Sequence, residues 1–161
     1  MAIQAYLQVK ANGSEIKGGS VDTKQHDGWC DVITFEFRAE SKRDQSTGLA
    51  TGRRSYQPLT ILKTLDKASP LFFKAFAMNQ VIEAKIELWR DKPKGGGREK
   101  YYTYELKEGR IAAVDQFAPP EASNEANKGT LERIAIVFQT VVLTWEDGGI
   151  THEDNWTQAG T

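Results

Sequence analysis

The chain has 161 residues, 39% of them apolar and 27% charged, with a formal net charge of −1. That length suits a single domain over residues 1–161 with room for a real core, and the composition excludes disordered and repetitive classes. A charge so near zero offers no footprint for nucleic acid, and no apolar run is long enough to cross a bilayer, so neither nucleic acid binding nor membrane insertion is expected.

Strand signals dominate from the start. Ile3, Ala5, Leu7 and Val9 alternate with Gln4, Tyr6, Gln8 and Lys10, which predicts a half-buried strand ending at Ala11-Asn12-Gly13-Ser14. The same stretch lacks the basic, apolar, small-residue order of a signal peptide, so export would bypass the general secretory route. The sequons at Asn12 and Asn155 are then read as chance matches. Cys30 is the single cysteine, which rules out an internal disulfide and fits folding in a reducing compartment.

From Asp31 to Arg38, Ile33, Phe35 and Phe37 share one face, expected to be core, and Thr34, Glu36 and Arg38 share a wet one. Residues 39–57 hold Gly48, Gly52, Arg53 and Arg54 with little periodicity and read as one long loop; loops of that length are usually functional or ordered by a partner. Leu59–Thr64 reads as a strand. Ser69-Pro70 then opens the one convincing helix, with serine capping and proline at the first position. Leu71, Phe72, Ala75, Phe76 and Met78 form its expected packing stripe. Phe73 lies roughly 140° from the centre of that stripe at 100° per residue, which makes it a candidate subunit contact or the occupant of a side pocket.

A strand from Gln80 or Val81 to Arg90 follows, with Ile82, Ala84, Ile86 and Leu88 inward and Glu83, Lys85 and Glu87 outward. Pro93 and Gly95-Gly96-Gly97 mark a hairpin loop over Asp91–Arg98. Alternation resumes over Tyr101–Lys107, Gly109 is expected to turn the chain, and Arg110–Phe117 is another strand. A polar connection runs from Pro119-Pro120 to Gly129. In Leu131–Trp145, apolar positions at Ile134, Ile136 and Phe138 shift phase to Val141, Leu143 and Trp145, which requires a bulge or bend near Gln139 and Thr140. Apolar side chains on both faces there imply a closed barrel, a partner subunit, or both.

Catalytic chemistry is thin. The two histidines, His26 and His152, are far apart, and His152-Glu153-Asp154, read as a polar C-terminal loop, puts consecutive side chains in different directions with no HExxH or spaced Cys/His set. Cys30 has Asp31 beside it and no adjacent cation, and Gly95-Gly96-Gly97 has no helix after it to bind phosphate. No enzyme activity, metal or cofactor is expected. Trp89, Tyr101, Tyr102 and Tyr104 crowd one hairpin, as cross-strand pairs or as a sugar-stacking platform.

Several segments in order, MAIQAYLQVKANGSEIKGGS, Asp31 to Phe37, Asp66-Lys67-Ala68-Ser69-Pro70-Leu71, and Val137-Phe138-Gln139 through Trp145-Glu146-Asp147-Gly148 to Asp154-Asn155-Trp156, resemble the Hcp tube proteins of bacterial type VI secretion. The resemblance implies a mainly β fold, a small two-sheet β-barrel with one α-helix on its side, assembling as a homo-hexamer whose rings stack into a tube. Spike, contractile sheath and baseplate proteins would be its partners, and small secreted effectors its cargo. It would assemble in the bacterial cytoplasm and then be secreted. In the resemblance Thr34, Glu36 and Arg38 line the ring lumen. Gly48, Arg53, Arg54, Gly95, Gly96, Gly97, Gln158 and Ala159 fall where rings stack, and Phe73 remains the subunit-interface candidate. The first loop lacks the glycine-rich tract of some relatives, and an end at Thr161 suits a plain tube subunit without a fused toxin. The alternatives are a phage or contractile-particle tail-tube protein, a monomeric carbohydrate-binding barrel using Trp89 and Tyr101, and a metal hydrolase using His152 and Glu153.

Overall fold

The computed structural model describes residues 4–121 and 129–157. The first strand, β1 (Gln4–Ala11), turns through Asn12-Gly13 into β2 (Ser14–Ile16). Both turn residues hold positive φ, 49° and 83°, a backbone that asparagine and glycine adopt at least cost. β1 also pairs antiparallel with β3 (Cys30–Val32) and, over its full length, with β8 (Ile82–Asp91). β8 returns through a hairpin into the long β9 (Arg98–Phe117), whose other edge carries β11 (Thr140–Trp145) and then β12 (Ile150–Asn155). A second sheet runs from the C-terminal half of β9 through β10 (Leu131–Val137) and β7 (Leu59–Thr64) to β4 (Thr34–Glu36). β5 (Ala39–Glu40) and β6 (Ser55–Tyr56) pair only with each other.

The chain passes from one sheet to the other at three local breaks. Gly109 was expected to turn the chain, but β9 runs straight through it: residues up to Lys107 pair with β11, residues up to Gly109 pair with β8 across a bulge, and residues from Arg110 pair with β10. Glu108 takes the strain with φ 53°, and Gly109 allows the close approach, since a Cβ there would sit 2.8 Å from the Val137 carbonyl oxygen. The second break is the expected phase shift, where β10 ends at Val137 and β11 begins at Thr140. The third divides Asp31–Arg38, expected as one strand, at Ile33, whose N–H donates to the Leu62 carbonyl (2.8 Å). No ladder joins β4 to β1 among the described residues, so hydrogen bonds do not close the barrel; the bent segment Cys30–Glu36 bridges its two rims. His152-Glu153-Asp154, expected in a loop, lies in β12 because its backbone pairs with Val141–Leu143.

Between the sheets Leu7, Leu59, Ile61, Ile82, Ile86, Leu106, Ile134 and Ile136 are fully buried, each worth about 1.5–3 kcal/mol relative to exposure. Phe35, Phe37, Tyr56, Tyr104 and Phe138 close the space with ring centroids 5.2–6.2 Å apart.

Helix α1 (Ser69–Ala77) departs from expectation twice. Ser69 does not cap it. The Ser69 hydroxyl is buried, donates to Glu132 (2.7 Å) and accepts the Asp66 N–H (3.0 Å), while the Asp66 carboxylate accepts the Ala68 N–H (3.0 Å). Of the expected stripe only Phe72 and Ala75 are buried; Leu71, Phe76 and Met78 are 42%, 40% and 63% exposed. Anchoring through Ser69 rotates the short helix so that Ser69, Phe72 and Ala75, spaced three apart, form its narrow inner line.

That anchor is ionic. Lys63 is 1% exposed, and its Nζ meets Glu132 Oε2 (3.0 Å), Asp66 Oδ1 (3.0 Å) and the Thr64 carbonyl (2.8 Å), using all three donors. Glu132 is wholly buried and also accepts from Gln116 Nε2 (3.1 Å). Removing one partner strands the other charge in the core. Lys63→Ala is expected to cost about 3–5 kcal/mol in urea unfolding, and the double variant Lys63→Met with Glu132→Leu to recover most of that loss.

Candidate contact surfaces

Alternation on β4 turns Phe35 inward and leaves Thr34 and Glu36 exposed, with Arg38 continuing the wet side. Register extends this face across four strands. One row runs Glu36, Thr60, Ala135, Ala113 and the next runs Thr34, Leu62, Arg133, Asp115. Arg133 donates to Asp115 (3.1 Å) with its guanidinium 5.1 Å from the Phe117 ring, and Arg38 donates to Glu40 (3.2 Å). Such exposed pairs contribute about 0–1 kcal/mol, so they shape the polarity of the face more than its stability. Glu36, Arg38, Glu40, Gln57, Pro58 and Thr60 line a shallow hollow of about 430 Å³. Sequence reasoning found Thr34, Glu36 and Arg38 but missed Arg133 and Asp115, which only strand register brings to the same face.

Residues 39–57, expected as a loop, form a hairpin arm. Its root pairs Ala39 with Tyr56 and Glu40 with Ser55, and Arg43 bridges Ala50 further out. At the tip, Asp44 accepts the N–H groups of Ser46 (2.7 Å) and Thr47 (3.2 Å), which hold its carboxyl below the usual range. Gly48 (φ 72°) and Arg53 are exposed, and Leu49 stands 68% exposed. Arg54 does not reach outward: it binds Asp154 through Nε (2.6 Å) and Nη2 (2.7 Å) and donates to the Asn155 carbonyl (3.0 Å), tying the arm to β12. The Tyr56 hydroxyl donates to the same carboxylate. Arg54 is the main cause that holds Asp154 below its ordinary value. Beside this root, Tyr56, Pro58, Val81, Val137, Phe138 and Trp156 line a groove of about 730 Å³.

The glycine hairpin lies at the other end of the first sheet. β11 starts near the arm root, at Thr140 opposite Asn155, and ends at Trp145 near the hairpin. Gly95, Gly96 and Gly97 are exposed with φ of 79°, 89° and 105°, which other residues rarely adopt, and the Lys92 N–H closes the loop on the Gly97 carbonyl (2.9 Å). Arg90 lies 4.5 Å from the Tyr101 ring and 5.5 Å from the Trp145 ring, so those aromatics are covered by a cation. Trp89 belongs to a different cluster, around His26, and does not share a platform with Tyr101. Gln158 and Ala159 lie outside the described residues.

The outer face of α1 is the third surface. Phe73 is 55% exposed, its ring 6.1 Å from that of Phe76, and with Leu65 and Pro70 it borders a hollow of about 420 Å³. Leu65, Leu71, Phe76 and Met78 are also 40–63% exposed on or beside this helix.

Reactive chemistry is sparse. Burial pushes the Cys30 thiol up to about 12, which leaves it without thiolate character at neutral pH. Among the described residues no three His, Cys, Asp or Glu side chains converge as a metal site. Glu87, expected to face water, is buried with its carboxylate against His26, Trp89 and Lys100.

Two outcomes follow from the electrostatics. Arg54→Ala is expected to loosen the arm, so that trypsin cuts at Lys42 and Arg43 about tenfold faster, the size of losing a hydrogen bond between charged groups, with little change in the urea midpoint. Burial pushes Glu87 and Asp66 up, but His26, Trp89 and Lys100 around the first and Lys63 at the second outweigh it; like Asp154 and Asp22, both sit below their ordinary values of 4.5 and 3.8. The stability these carboxylates supply is complete above those values and is lost as pH falls through the lower folded ones. An acid titration followed by circular dichroism is expected to show unfolding only below about pH 4.

The family model for the type VI secretion system effector Hcp matches residues 6–145. The chain is 28% identical over 167 residues to the major exported protein of Pseudomonas aeruginosa, covering 97% of this chain and 96% of that protein. Its fold superposes on the Hcp1 protein of E. coli EAEC 042 with a TM-score of 0.82 at 27% identity, covering 96% and 99% of the two chains. The secreted protein Hcp3 of Pseudomonas aeruginosa matches with a TM-score of 0.74 at 21% identity, covering 96% and 99%.

Proposed function

The chain belongs to the Hcp family of type VI secretion tube proteins, and from that membership we propose that it is the building block of the inner tube: six copies close into a ring, rings stack, and the tube is exported with effectors in its lumen. Spike, contractile sheath and baseplate proteins are its partners in this reading, and the Hcp family is a structural one with no enzymatic step. The observation that carries it is the separation of three exposed surfaces on one small domain, each with the chemistry a different contact needs.

A cyclic ring uses head-to-tail contacts, in which two unlike patches of each subunit meet, and stacking then uses surfaces at the two ends. The exposed apolar residues of α1, Phe73 among them, suit the permanent contact around the ring. The arm and the glycine hairpin, at opposite ends of the first sheet, suit stacking of one ring on the next through Gly48, Arg53, Gly95, Gly96 and Gly97. Their polar contacts hold modestly and remain breakable, as a tube that must come apart requires. The face bearing Thr34, Glu36 and Arg38 is wet, small-featured and of mixed charge, which suits a lumen that carries cargo without trapping it.

Light scattering behind size exclusion tests the ring. A mass near six times 18.0 kDa is expected for the native chain, and Phe73→Glu is expected to lower it while the circular dichroism spectrum stays that of the native chain, because Phe73 is 55% exposed in its own monomer. A native chain that stays monomeric at tens of micromolar would overturn the ring.

A further inference from the structure

The segment from Gly18 to Trp29 is fastened to the first sheet around His26, which is 1% exposed. The His26 Nδ1 lies 2.7 Å from Asp22 Oδ2 and its Nε2 lies 2.9 Å from Glu87 Oε1. The ring stacks on Tyr6 of β1, with centroids 3.8 Å apart and planes within 7°, and Trp29 and Trp89 meet it edge-on at 5.0 and 5.3 Å. An ionised carboxylate only accepts hydrogen bonds, so both contacts are satisfied only when both ring nitrogens carry a proton. A neutral ring has one N–H. Its other nitrogen would point a lone pair at a carboxylate in a site walled by three aromatic rings, and an unsatisfied buried contact is costly.

The charged and titratable groups facing this ring are few. Asp22 comes from its own segment, Tyr6 from β1 and Glu87 from β8. From β9, Lys100 lies 3.5 Å from Glu87, and Arg98 donates to the Tyr6 hydroxyl (3.0 Å) and covers the Tyr6 and Trp89 rings at 5.7 and 5.6 Å. Elsewhere the segment is held lightly, by Gly19 N–H to Asp66 and by the Ser20 hydroxyl and Val21 N–H to Asp31, while Gly18 N–H to the Gly28 carbonyl and Ser20 N–H to the Trp29 carbonyl only close its own base.

We propose that His26 makes residues 18–29 a proton-operated strap: seated on the sheet while the imidazole carries both protons, and released when it loses one, uncovering Tyr6, Glu87 and Trp89. Because Arg98 ends the glycine hairpin and rests on the two rings beside His26, seating of the strap also steadies that hairpin. The strap acts within one subunit, so the proposal stands or falls independently of ring formation.

Hydrogen exchange, corrected for intrinsic rates and followed from pH 6 to 10, tests it alongside nitrogen-15 shifts of the His26 ring. In the native chain, protection of residues 20–29 is expected to fall about tenfold or more as pH rises, the size of losing one hydrogen bond to a charged group. The fall should follow the His26 titration while β10 amides stay protected. Glu87→Gln, whose amide can donate to a neutral ring nitrogen, is expected to keep the strap closed to higher pH, and His26→Gln to open it throughout. Protection that stays constant across the range, falls in step with β10, or is unaltered by Glu87→Gln would overturn the proposal.

Discussion

The ammonium of Lys63 is the point on which the arrangement of this domain turns. It sits in the core, and a charge there is tolerated only when every donor has an acceptor. Its three partners come from the second sheet's β10, from the end of its own strand and from the turn before α1. Satisfying the charge therefore fixes the angle of the helix against the barrel. Once Ser69 is drawn to Glu132, Phe72 and Ala75 must face inward and Phe73 outward. The exposure of Phe73 is thus a consequence of a polar interaction buried beneath the helix.

A second constraint comes from strands that serve two sheets. β9 pairs with β8 and β11 in one half and with β10 in the other, and the chain continues from β10 to β11 across the same corner. Gly109 and the break at Phe138 and Gln139 meet there, where backbone approaches backbone too closely for a side chain. This corner separates the exposed surfaces. It leaves the small polar face of the second sheet on one side and holds the arm root and the glycine hairpin at opposite ends of the first, joined by strands too rigid to let them drift. Arg54 fixes the arm root to the end of β12 by the same logic of a paired charge.

Much of this was legible in local pattern. Period-two alternation in β1, β4 and β8 named their inward residues, three consecutive glycines marked a loop that needs positive φ, and the phase shift near Gln139 located the corner. The helix stripe was misread because periodicity reports which residues are apolar, not which of two apolar faces meets the barrel; Leu71, Phe76 and Met78 are apolar for an outward face. Gly109 was misread as a turn because a glycine demanded by close packing and one demanded by chain reversal look alike in sequence.

By itself, then, the sequence determined the strands β1, β7, β8, β10 and β11, the single helix, the family and the wet identity of Thr34, Glu36 and Arg38, all of which rest on interactions between residues a few positions apart or on recognisable segments in order. Only the tertiary structure decided that Lys63 pairs with Glu132, 69 residues away, that Arg54 is spent on Asp154 rather than offered outward, and that His26 lies between two carboxylates. An isolated lysine or histidine in a strand-rich chain carries no mark of burial. Its charge is admitted to the interior only by partners that strand register, and no local pattern, brings within hydrogen-bonding distance.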